Sequence, residues 1–86
     1  MNLNKRCWWT IDPDLRDDLM NKPAALKIFM ACLFEGISAN EMLANHKLYE
    51  RYGLNPNSLK THTVLVNRAL DNYIYVAMEV FNCVED

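Results

Sequence analysis

From Leu59 to Val84 the residues Leu59, Thr63, Val66, Leu70, Tyr73, Ala77, Val80 and Val84 follow one another in alternating steps of four and three. That spacing returns to one side of an α-helix every two turns, and no glycine or proline interrupts it. A helix over about 57–84 takes up roughly a third of an 86-residue chain. Everything before it must then be short and must cover its apolar stripe, or leave that stripe for another molecule. The segment "YIYVAMEVF" is rich in strand formers, but no turn residue lies between Leu70 and Tyr73, so the helix is expected to continue through it.

The rest of the chain is punctuated for short helices. Asp12 before Pro13 supplies an N-cap acceptor and then a residue preset for a first turn, which predicts a helix at about 13–21 with Leu15 and Leu19 inward. Pro23 opens a second helix. Its Leu26, Phe29, Met30, Leu33 and Phe34, broadened by Ile28 and Cys32, predict burial on most sides, and Gly36 ends it. "SANE" forms a capping box from Ser38 to Glu41, opening a third helix to about Tyr52 with a break expected near Asn45–His46. Gly53 stops it, and Asn55 with Pro56 starts the last helix as Asp12 and Pro13 start the first. The pattern predicts an all-α fold: a single domain over 1–86, a small four- to five-helix bundle containing a helix-turn-helix at about 38–70, with a long C-terminal helix. A core this small favours self-association. The stripe of the last helix, Val66, Leu70, Tyr73, Ala77 and Val80, is the expected dimer interface.

The net charge is −2, but it is unevenly spread. Asp12, Asp14, Asp17 and Asp18 around Arg16 carry a net −3, whereas Lys47, Arg51, Lys60 and Arg68 against Glu50 give Met42 to Leu70 a net +3. Three cysteines without a CxxC pair, no apolar leader at the start and no apolar run long enough to span a bilayer lead to the expectation of a cytoplasmic protein with free thiols and no membrane contact. His46 and His62 lack ligand spacing, so neither metal nor cofactor is expected. The chain has no Ser/His/Asp or Cys/His signature, no glycine-rich phosphate loop and no paired carboxylates in an apolar setting, so an enzyme is not expected. Trp8 and Trp9 are expected to cap the core.

"LYERYGLNPNSLKTH" has the order of parts that a helix-turn-helix needs. Leu48 is the inward residue of the supporting helix, Gly53 the turn, Leu54 the apolar pin, Asn55 the cap and Leu59 the inward anchor. Asn57, Ser58, Lys60, Thr61 and His62 fill the first two turns of the second helix. Asparagine suits an adenine edge, and lysine, serine and threonine donate to bases or phosphates. Arg51, Lys60 and Arg68 supply contacts to the DNA backbone.

"EGISANEML" followed by "GLNPNSLKTHTVLVNRAL" resembles the helix-turn-helix of LuxR-type response regulators, where a G-x-S-x-x-E-[IM] entrance precedes a helix with a Lys-Thr-His stretch. The chain is also similar to the small helical PapB-type regulators of fimbrial adhesin operons. The resemblance covers about Ala24 to Leu70 and implies a sequence-specific, double-stranded-DNA-binding transcriptional regulator acting as a dimer or oligomer. By position, Asn57, Ser58, Lys60, Thr61 and His62 match the reading-helix face. The chain holds about six residues more between Glu41 and Gly53 than that motif, which implies a longer or kinked supporting helix. The other expectation is a small phage- or plasmid-type inhibitor or adaptor that binds a partner protein. There the acidic first helix mimics nucleic-acid phosphates, and Trp8, Trp9, Tyr73 and Tyr75 serve as anchors.

Overall fold

A computed structural model describes residues 11–85, with side chains as far as Ile74. Trp8 and Trp9 therefore lie outside the described residues, as do the side chains of Tyr75, Ala77 and Val80. The fold is all-α. In chain order the helices are α1 (Pro13–Asn21), α2 (Pro23–Glu35), α3 (Ala39–Ala44), α4 (His46–Arg51) and α5 (Pro56–Glu85), and no strand occurs among the described residues. The β-branched and aromatic residues after Leu70 stay helical, as expected from the absence of a turn.

α5 is the spine, with α1, α2 and α3 packed along it and α4 packed on α3. The core is one cluster in which Ile11, Leu19, Ile28, Phe29, Met42, Leu59 and Val66 are fully buried. Phe29 meets Tyr73 edge-on, with ring centroids 6.0 Å apart and planes at 76°.

Local chemistry explains the helix boundaries. Asp12 Oδ1 accepts from the Asp14 amide at 2.9 Å and Pro13 holds the first helical position, so α1 begins where the orphan amides find a partner. The reciprocal pair of the capping box is present at α3: Glu41 N donates to Ser38 Oγ, and Ser38 N donates to Glu41 Oε1. The third helix breaks at Asn45, whose backbone leaves the helical region (φ −111°, ψ 87°) and whose side chain accepts from the Leu48 amide.

Three expectations are corrected. Met30 and Phe34 are 41% and 54% exposed, because α2 turns Ala25, Ile28, Phe29 and Cys32 toward α5 and only one side of the helix is covered. Leu15 is half-buried, with Leu19 alone sealed in α1. Val66, Leu70 and Tyr73, expected at a dimer seam, lie in the chain's own core at 0%, 5% and 6% exposure. The stripe they form is the one α2 packs against, so this part of it is not left for a second molecule. For the same reason Tyr73 is not an exposed anchor.

Candidate nucleic-acid interface

The turn between α4 and α5 is set by one residue. Gly53 takes φ +67°, a left-handed conformation open to glycine at little cost, and directs the chain back toward the core. The Gly53 amide donates to Glu50 O at 3.0 Å and the Leu54 amide to Tyr49 O at 2.9 Å, which satisfies two carbonyls that the end of α4 leaves open. Leu54 is then buried as the pin. Lys27, reaching across from α2, donates from Nζ to Gly53 O at 3.3 Å, a tie between two elements 26 residues apart.

Asn55 caps α5 through its side chain, accepting from the Asn57 amide at 2.8 Å, and Pro56 supplies the first helical residue. Leu59 lies beneath the first turn, fully buried. Asn57, Lys60, Thr61, Val64 and Arg68 are exposed, at steps of three and four that place them on one face. Ser58 and His62 are half-buried on its flanks, and Arg51 is exposed at the end of α4. Thr61 Oγ1 donates to Asn57 O at 2.8 Å, so its hydroxyl proton is used within the helix while its lone pairs point outward.

The electrostatics follow from which residues are missing. No carboxylate occurs between Glu50 and Asp71, so the exposed face of the first turns of α5 carries only Lys60 and Arg68 as charges. The acids of α1 are held near the middle of α5. Asn72 Oδ1 accepts from the Asp12 amide at 2.9 Å, and Asn72 lies fifteen residues beyond Asn57, roughly 22 Å at the helical rise. Arg68, by contrast, lies one turn from Asn72, roughly 6 Å at the helical rise.

Two groups of the fold are perturbed. Burial, reinforced by the Tyr52 hydroxyl's bond to Glu35 and by the charge of that carboxylate, pushes the Tyr52 phenol up, with Arg51 pulling the other way. Burial followed by the charge of Glu41 raises the Cys32 thiol to about 11. His46 Nε2 sits 3.0 Å from Glu50 Oε1 on an exposed face. Among the described residues no three of His, Cys, Asp and Glu are grouped to hold a metal ion, and no helix is long and apolar enough to cross a membrane.

Several residues that shape this site carry no signal in their sequence neighbourhood. Asn67 Oδ1 accepts from the Ala39 amide at 2.8 Å while its Nδ2 donates to Asn40 Oδ1 at 2.6 Å, so α5 caps the start of α3 from 28 residues away. Lys27 and Val64 belong to the same group: one ties the turn, and the other adds an exposed methyl pair to a polar face. No family model matches the sequence, and comparison with curated proteins and with solved structures gives no match.

Proposed function

We propose that the chain is a helix-turn-helix regulator that reads double-stranded DNA with the first turns of α5. The supporting observation is the acid-free, outward face of Asn57, Lys60, Thr61, Val64 and Arg68, mounted on a helix whose opposite side is sealed by Leu59 and Val66. A helix of this diameter fits the major groove, roughly 12 Å wide. Asn57 suits a bidentate contact to an adenine edge, Lys60 suits bases or phosphates, the Thr61 oxygen suits a base amino donor, and the Val64 methyls suit the thymine methyl. Arg51 and Arg68 flank them as phosphate contacts, with Ser58 and His62 at the margins.

The net charge of −2 does not oppose this reading, because the first turns of α5 carry no acid and α1 begins beside Asn72, fifteen residues beyond Asn57 though only one turn beyond Arg68. Three phosphate-binding cations, Arg51, Lys60 and Arg68, give an expected slope of about −2.7 in log affinity against log salt. The test is fluorescence anisotropy on a random duplex pool at low salt, followed by selection of bound sequences. Lys60→Ala and Arg68→Ala should each reduce the salt slope by about 1, whereas Asn57→Ala should change the selected sequence. No binding of any duplex at low salt and micromolar protein refutes the proposal.

A second reading, a protein-binding inhibitor or adaptor, is supported by the outer face of α1. There Asp14, Asp17 and Asp18 are exposed together, with Met20, itself 55% exposed, at the edge of the face beside Asp17. A basic, partly apolar surface is what such a face recognises. Recovery of one stoichiometric protein partner without nucleic acid favours it.

A further inference from the structure

The chain carries both halves of one such contact. On α2 the exposed side opens an apolar groove of about 550 Å³, lined by Pro23, Leu26, Lys27, Met30, Phe34 and Tyr52 among others. Phe34 and Tyr52 meet edge-on at 6.4 Å and form one end of the floor. Lys27 is the charged residue of the lining, and the exposed Lys22 and Arg51 adjoin Pro23 and Tyr52 in the chain. The one carboxylate next to this floor in sequence, Glu35, is engaged by the Tyr52 hydroxyl. An apolar floor with a cationic rim selects a helix that offers an apolar side chain among carboxylates. The outer face of α1 carries Asp14, Asp17 and Asp18, and Met20 lies at its edge, one turn beyond Asp17.

We infer that this groove is the self-association site of the protein and that its occupant is the acidic face of α1 from a second copy. α1 passes directly into α2 through Lys22, so each chain presents donor face and groove side by side. A two-fold pair then makes the contact twice, α1 of each copy in the groove of the other. The doubling matters, since a single groove of this size covers far less than the roughly 800 Å² per partner of a stable interface. The assembly is accordingly weak, salt-sensitive and independent of DNA. It also leaves the outer face of α5 clear, which a seam along α5 would not.

Charge reversal tests both halves. Asp17→Lys/Asp18→Lys changes α1 alone, and places cations toward its C-terminal end, where the helix dipole favours them. Lys22→Glu/Lys27→Glu changes the groove. Sedimentation velocity at low salt, at roughly 100 µM protein or above, should show wild type associating and each variant monomeric, because each variant sets like charges against each other. Mixing the two variants should restore a 1:1 pair, since both contacts regain opposite charges. Far-UV circular dichroism checks the fold of each variant, and the loss of wild-type association in high salt needs no variant. Wild type that stays monomeric at low salt overturns the inference and leaves the groove to an acidic helix from a different protein. Association that persists in both variants, or a mixture that stays monomeric, overturns it as well. DNA binding is measured separately, so the failure of either proposal is visible without the other.

Discussion

Asn67→Ala isolates the contribution of one side chain that joins α3 to α5. Ala39 is fully buried, and its amide is one of the four that the start of α3 cannot satisfy internally. Asn67 Oδ1, 2.8 Å away, is the acceptor that replaces water there. Truncation leaves a donor shut in without a partner, which costs about 1–3 kcal/mol, while losing the Nδ2 bond to the exposed Asn40 adds little because water replaces it. A loss of about 2 kcal/mol is a large share of the stability of a domain this size. It corresponds to a midpoint lowered by roughly 8–16 °C.

Two companion variants separate the causes. Asn67→Asp keeps the acceptor and adds a negative charge at the positive end of α3, so it should retain most of the stability. Asn40→Ala removes only the exposed partner and should cost less than about 0.5 kcal/mol. The assay is thermal and urea unfolding followed by far-UV circular dichroism, with hydrogen exchange at the Ala39 amide as the local readout. If Asn67→Ala is no more destabilising than Asn40→Ala, the Asn67 cap does not hold α3 to α5 and the reasoning fails.

Gly53→Ala forces a side chain into the left-handed region and should cost about 1–2 kcal/mol. Gly53→Asn should cost less because asparagine tolerates that backbone, and urea midpoints compare the two. Cys32 should resist iodoacetamide at pH 8 in the folded protein and react once unfolded, read by peptide mass. Its raised pKa also sets a sign. The thiol ionises near 9 when unfolded and near 11 when folded, so its contribution to stability is complete below pH 9 and is lost as pH rises toward 11. Cys32→Ala should remove that part of the alkaline decline. Phe29→Ala, which empties a fully buried ring site beside Tyr73, should cost about 3–5 kcal/mol, measured by urea unfolding.

What the sequence made legible is chemistry that closes within four or five residues. The caps at Asp12, Ser38 and Asn55, the stops at Gly36 and Gly53 and the break at Asn45 each depend on a side chain or backbone angle acting on its immediate neighbours. Asn67 and Lys27 were not legible, because each satisfies a group 26 to 28 residues away. An asparagine mid-helix is ordinarily a weak helix former with no stated partner. The exposed side of α2 was not legible for a related reason. Its apolar residues span nearly the whole circumference, and only the placement of α5 decides that Ile28 and Phe29 are sealed while Met30 and Phe34 are left outside.

The stripe on α5 shows why a repeat of four and three identifies a helix without identifying what covers it. The pattern states that one side of the helix avoids water, and two kinds of neighbour satisfy that equally: another element of the chain or another copy. What decides is how much apolar surface the preceding short helices bring. Ile11, Leu19, Ile28, Phe29 and Met42 reach full burial with Leu59 and Val66, so over Leu59 to Tyr73 the intramolecular partner takes the stripe. Among the described residues the apolar surface left over then lies off that stripe, on Met20, Met30 and Phe34 of the short helices and on Val64 and Ile74 of α5. For a chain of this kind, contacts between copies are therefore better sought where a helix turns an apolar residue away from the core than along the spine's own repeat.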